Sequence, residues 1–213
     1  SEMCIRDSLD SASVRGVMEA WSAAVLAGGR GRRLDGRTKP LVDLRGRTIL
    51  SRQVEALAAL GVVPRLIAPD AAPYAALPFE VVPDLVAAGA LGALDRAVAT
   101  SATPHVLVVA GDLPFLTGRF LGALVARRAD ADAIVPRPGG RWQPLCAVYH
   151  RDVAARLRVR IDRGQWRVTD ALEDLTVHAV DDLELAPFDP DGRLLLNVNT
   201  PEDLRVATRH AAL

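Results

Sequence analysis

Of the 26 basic residues in this chain only one, Lys39, is a lysine. Arginine offers a planar fork, whereas a lysine ammonium is a compact charge on a flexible stem. A lone lysine in an arginine-rich chain therefore suits phosphate oxygens that a rotatable point charge must follow. Just upstream, the apolar run Ser22 to Leu26 ends at Gly28-Gly29-Arg30-Gly31. Without Cβ atoms, successive backbone N–H groups there can approach an anion closely. From Arg30 to Arg52 the basic residues Arg30, Arg32, Arg33, Arg37, Lys39, Arg45, Arg47 and Arg52 face only Asp35 and Asp43, in a chain of zero formal net charge. A polyphosphate would be drawn to that stretch. The competing reading is an ordinary turn followed by a solvated arginine face. The turn is not a Walker P-loop, since no Gly-Lys-Ser/Thr follows, and it fits the dinucleotide fingerprint poorly.

A second segment, His105 to Ala110, is a strand candidate that delivers Asp112 past Gly111 to its carboxyl edge. A carboxylate facing a polyphosphate is a natural Mg²⁺ ligand, because that ion takes one or two carboxylates and completes its shell with phosphate oxygens and water. Capping a turn is the alternative for Asp112. Asn197 and Asn199, two apart in an extended run, would share one side of a strand and could complete a metal shell or hold a substrate hydroxyl; bonding the start of the next helix competes. Asp84, after Pro83 at a strand end, could accept from a ribose or base edge, or form a turn. Arg156, Arg160, Arg163 and Arg167 share a helix face or its continuation and could receive a second anionic substrate, with a solvated face as the default. The histidines at 105, 150, 178 and 210 have no spacing for zinc or a nucleophilic triad.

Positioning these groups requires an alternating frame. Strand candidates at Ala23–Leu26, Arg65–Ala68, Glu80–Val82, His105–Ala110 and Ala133–Pro136 alternate with helices from Ile49 to Leu60, Ala90 to Ser101 and Thr117 to Ala129. That order predicts a doubly wound α/β sheet, with ligands at the carboxyl ends of its strands. Beyond residue 136 the order changes: a Gly139-Gly140 turn, an extended run Pro144–Tyr149, helices at Asp152–Arg163 and Asp170–Leu175, and extended Thr176–Val180. The run Leu194–Asn199 then leads to Thr200 as N-cap and Pro201 at the first helical position.

With 213 residues, half of them apolar, the chain can bury a substantial core in one domain, residues 21–213. Residues 1–20 read as a tail or scar, with Met18 as a candidate start. Few aromatics and overall neutrality argue against a nucleic-acid binder. No run approaches the length of a membrane span. Cys4 and Cys146 lie far apart without metal spacing, which fits a reduced, cytoplasmic protein.

Taken in order, Leu26-Ala27-Gly28-Gly29, Arg32-Arg33-Leu34, Lys39, Pro83-Asp84, Gly111-Asp112-Leu113-Pro114-Phe115-Leu116, Gln143-Pro144-Leu145 and Asn197-Val198-Asn199-Thr200-Pro201-Glu202-Asp203-Leu204 resemble the molybdenum cofactor guanylyltransferase family over about residues 22–210. The resemblance implies a three-layer, mostly parallel α/β fold of the Rossmann-like nucleotidyltransferase kind, Mg²⁺, and transfer of GMP from GTP to molybdopterin or its molybdenum form, with molybdoenzymes or their chaperones receiving the product. It implies that Leu26, Ala27, Gly28 and Gly29 receive the nucleotide, and that Lys39 binds its phosphates with Arg33 nearby. Asp84 would touch the nucleoside, Asp112 would hold metal and nucleotide with Asn199 completing the shell, and Arg163, Arg167 and Asn197 would lie on the acceptor side. Three departures stand out: Ala68-Pro69 where some members carry Asn, Gly89-Ala90-Leu91-Gly92-Ala93 in place of Gly-Pro-Leu-Ala-Gly, and Trp166 where a second arginine is common. Alternatives are a CTP-dependent cytidylyltransferase, another transferase with a small phosphate acceptor, and a non-catalytic nucleotide-binding delivery protein.

Overall fold

The computed structural model describes residues 21–28, 38–84, 87–128 and 131–211. Short apolar runs bounded by glycine, proline and polar residues become strands: β1 (Trp21–Leu26), β2 (Arg65–Ala68), β3 (Val81–Pro83), β4 (His105–Ala110), β5 (Ala133–Pro136), β6 (Cys146–His150) and β7 (Val177–Val180). They form one sheet in the order β3-β2-β1-β4-β6-β5-β7. β6 alone runs antiparallel, to β4 on one side and β5 on the other. The sequence shows the extended run but not its direction. The cause is the short link from β5 to β6, too short for the crossover that a parallel pair requires.

Helices cover both faces, as the α/β expectation holds. The longer ones are α1 (Ile49–Ala58), α2 (Gly89–Ala99), α3 (Gly118–Ala126) and α4 (Ala154–Asp162); α5 (Val168–Ala171) and α6 (Asp182–Leu185) are single turns, and α7 (Pro201–His210) ends the described chain. Strand residues alternate between two cores with the period of two that a pleated strand imposes. Ala23 and Val25 of β1 pack with Leu50 and Leu57 of α1 and Phe120 and Leu124 of α3. Ala24 and Leu26 pack with Leu91 and Leu94 of α2 and Leu157 of α4. A third, smaller cluster joins Val42, Leu44 and Ile49 to Val198 and Ala207 of the C-terminal segment. That cluster ties the chain after Lys39 to the chain around Asn199.

Threonine caps set three of the helix starts; at α3, Thr117 Oγ1 accepts from Phe120 N at 3.3 Å. Thr48 Oγ1 accepts from Ser51 N at 3.1 Å at α1. At α7, Thr200 and Asp203 form a reciprocal capping box with Pro201 in the first turn. The predicted helix Asp170–Leu175 is α5 followed by a 3₁₀ turn, Leu172–Asp174.

Candidate active site

The sheet order reverses at β1: the chain moves outward to β2 and β3, then returns to lay β4 on the other side of β1. In open α/β sheets the crevice at such a point is where ligands bind. Here Leu26 ends β1 opposite Ala110 of β4, and a cavity of about 580 Å³ opens beyond them. Its walls include Leu26, Gly28, Lys39, Asp84 and Asp112, together with Pro69 and the first residues of α2, Gly89 and Ala90. The positive end of the α2 dipole therefore lies at the cavity wall, as an anion requires.

Gly111 makes the close approach possible. A Cβ on it would lie 2.5 Å from Pro40 Cγ and 2.9 Å from the Leu26 carbonyl oxygen. Its own N–H donates to that carbonyl at 3.0 Å. The ends of β1 and β4 and the 3₁₀ turn Lys39–Leu41 thus meet at one residue without a side chain. Lys39 Nζ then lies 3.2 Å from Asp112 Oδ2 and donates also to Asn199 Oδ1. Both members of the ion pair are largely shielded, with side-chain exposures of 21% and 16%. Asp112 Oδ1 is buried and has no hydrogen-bond partner among the described residues. A carboxylate oxygen in that state is one that a cation would satisfy.

The surroundings hold this trio in place. Val198 N donates to Asp112 O at 2.9 Å, and Asp203 accepts from the backbone N–H groups of Asn199 and Thr200 at 2.9 and 2.8 Å. Burial works to raise the Asp203 pKa, but these bonds and the Lys39 charge outweigh it and hold the carboxyl below its ordinary value. At the end of β1, Ala27 donates its N–H to Ile67 O at 2.8 Å and accepts from the Tyr74 hydroxyl at 2.7 Å. Burial, then the Asp70 charge, pushes that phenol up to about 12, so it stays a donor. Asp84 is fixed at the end of β3 by its N–H to Ala68 O, 2.9 Å.

Not every expected residue converges here. Gly29 and Arg33 lie outside the described residues. The segment carrying Asn197 and Asn199 pairs with no strand, so the expectation that strand spacing aligns them is overturned; a turn at Asp189, whose carboxylate accepts from Arg193 N and Leu194 N, shapes its start instead. Asn199 reaches Lys39, whereas among the described residues Asn197 Nδ2 meets Leu195 O at 3.4 Å. Arg163 and Arg167 are exposed at and beyond the end of α4, and neither lines the cavity. Two further contributors escaped the sequence reading: Tyr74 and Gln53. Gln53 is a polar residue on the apolar face of α1, in register with Ile49, Leu50, Ala56 and Leu57, and that break in the pattern was its signal.

Fold and site together define an α/β domain built to hold a nucleoside triphosphate at a strand-end cavity. The chain belongs to the MobA-like NTP transferase family, whose domain matches residues 23–177, and it is accordingly a nucleotidyltransferase. It is 36% identical over 193 residues to a Chloroflexus aggregans protein named "Probable molybdenum cofactor guanylyltransferase", covering 87% of this chain and 92% of that one. It is 32% identical over 202 residues to the molybdenum cofactor guanylyltransferase of Rhodopseudomonas palustris, covering 90% and 94%. The solved structure of molybdopterin-guanine dinucleotide biosynthesis protein A from Archaeoglobus fulgidus superposes with a TM-score of 0.78 at 28% identity, over 90% of this chain and 98% of that one. Among the described residues no helix is long and apolar enough to cross a membrane.

Proposed function

We propose that this chain transfers GMP from GTP to the terminal phosphate of molybdopterin or molybdenum-molybdopterin, releasing pyrophosphate. One observation carries the reading: Lys39 and Asp112 meet at the switch point of the sheet, on the wall of a cavity that the end of β1, Asp84 and the start of α2 also line. The relatives bearing the guanylyltransferase name supply the substrate class.

An oxygen of the acceptor phosphate attacks the α-phosphorus of GTP in line. The bond to the bridging oxygen breaks, and the β and γ phosphates leave as pyrophosphate. Lys39, on its flexible stem, turns from Asp112 and Asn199 to the phosphate oxygens and offsets the charge that builds on them. Backbone groups at Leu26, Ala27 and Gly28, held by Tyr74 and Ile67, fix the nucleoside end, and Asp84 accepts from it. Correct placement of two polyanions against each other supplies much of the acceleration. The residues fit Mg²⁺: Asp112, whose Oδ1 has no partner among the described residues, and Asn199, whose amide oxygen shares Lys39 with that carboxylate, would hold the ion. When bound, Mg²⁺ supplies charge neutralisation and alignment of the phosphates. Among the described residues no three His, Cys, Asp or Glu side chains cluster, in keeping with an ion that takes most of its shell from phosphate and water.

A second reading is cytidylyl transfer, since Pro69 on the cavity wall does not discriminate between the bases. Its ring packs beside Gly28 and offers a base no hydrogen-bond donor. Pyrophosphate release measured with molybdopterin and each of the four nucleoside triphosphates separates the two. GTP alone is expected to support turnover; CTP doing so in its place would overturn the guanylyl assignment. Tight GTP binding without pyrophosphate would instead indicate a delivery protein.

A further inference from the structure

We infer that Gln53, on α1 and outside the cavity lining, is a positioning residue that sets the orientation of the Asp112 carboxylate. The inference rests on the metal-nucleotide reading of Asp112 given above. Gln53 is 1% exposed. Its Nε2 donates to Ala110 O at 2.8 Å and to Leu113 O at 3.0 Å. Both partners are carbonyls, so only the amide nitrogen can face them. The two carbonyls flank Gly111 and Asp112 on either side. Any rotation of the peptides between them would carry one carbonyl off the amide, so the bonds clamp the turn that presents the carboxylate.

Two other backbone groups of that turn are held elsewhere: Gly111 N by Leu26 O, and Asp112 O by Val198 N. Gln53 supplies a further restraint, and it comes from α1, the helix that follows the Lys39 turn. Its own Oε1 is buried without a partner among the described residues. A leucine here would fill the same interface between α1 and the sheet without leaving that oxygen unsatisfied. The amide therefore serves the Asp112 turn and not the packing of α1. Groups that orient a metal-binding side chain tune metal affinity even though they never touch the ion.

The test is calorimetric titration of GTP into the whole protein, with no acceptor present, in Mg²⁺ and in EDTA. Four proteins are compared: wild type, Asp112→Ala, Gln53→Met and Gln53→Asn. Wild type is expected to bind GTP more tightly with Mg²⁺, and Asp112→Ala to lose that gain. Gln53→Met keeps the volume but removes both donors; it is expected to lower the Mg²⁺-linked gain by about tenfold, with binding in EDTA unchanged within about twofold. An undiminished gain in Gln53→Met, or an equal loss with and without Mg²⁺, would overturn the inference. If Gln53→Met does not fold, Gln53→Asn, which keeps the amide one methylene short of its carbonyls, is expected to show a partial loss, and a full gain there is equally fatal. Should wild type itself show no Mg²⁺-linked gain, the metal reading fails and the inference falls with it, a result distinct from failure in the Gln53 variants alone.

Discussion

The cavity edge and the outer face of α4 use the same pieces, cations beside carboxylates, yet they differ in where the unsatisfied oxygen lies. On α4, Arg156 meets Asp132 through both guanidinium nitrogens and adds the Asp174 carbonyl. Arg160 pairs with Asp174 and Glu173, whereas Arg158 meets the buried Asp95 through Oδ2 and leaves its Oδ1 without a partner among the described residues. At the cavity, one lysine is shared between a carboxylate and an amide, and the second carboxylate oxygen has no donor among the described residues. An ion-pair network away from the cavity ties elements together, whereas an unsatisfied carboxylate on the cavity wall awaits a ligand. Pairing completeness alone does not separate site from scaffold, since Asp95 Oδ1 is as bare as Asp112 Oδ1; what marks the site is that Asp112 lines the cavity and Asp95 does not.

The sharpest way to break this contrast is to delete one charge from each region. Lys39→Ala and Asp112→Ala are each expected to cut pyrophosphate release by more than about tenfold, at least ~1.4 kcal/mol of transition-state stabilisation, with little change in thermal midpoint. Turnover unchanged in either variant would remove that residue from the mechanism. Gly111→Ala probes the same region by crowding. Its Cβ would press on Pro40 and on the Leu26 carbonyl, at a cost of about 1–3 kcal/mol in urea unfolding, the range for overpacked interiors. GTP binding is expected to fall with it, because the end of β1 and the Lys39 turn must move apart. Wild-type stability in this variant would mean that the close contact at residue 111 does not hold the site together.

On the α4 side, Arg156→Ala is expected to lower stability by about 1 kcal/mol, since the pair is partly open to solvent and screened, and to leave turnover at the wild-type level. Loss of turnover would show that the arginine face takes part in the reaction after all and would erase the distinction drawn above.

The frame of this comparison was legible in the sequence where local signals are strong. β1, β2, β4 and β5 follow from short apolar runs bounded by turn residues, and the capping box at Thr200 from its residue types. Lys39 stood out by composition, and Asp112 by its place at the end of an apolar run. What escaped depends on contacts between distant segments. The direction of β6 is set by its link to β5, and α6 is a single turn with no period to read. Leu194–Asn199 has the composition of a strand, yet it is held by Asp189 and by one bond to Asp112 instead of a ladder. The arginine run on α4 carried no mark of its partners, because Asp132, Asp95 and Asp174 come from three other elements.

The smallest expected effect separates the two regions by pH. Hydrogen bonds from Arg156, against the opposing effect of burial and aided by the Thr176 N–H, hold the Asp132 carboxyl at about 2 instead of its ordinary 3.8. A carboxyl whose pKa is depressed by folding stabilises the folded state above its unfolded pKa, and that share is lost as the pH falls through the folded value. The stability difference between wild type and Asp132→Asn should therefore be flat from neutral pH down to about 4 and shrink between about 4 and 2. Urea midpoints across that range provide the measurement, and taking the difference cancels the other acids, including Asp95, whose pKa burial moves upward. Parallel curves for the two proteins would mean that Asp132 does not hold α4 to the sheet through its charge, and the α4 network would then owe its role to packing alone.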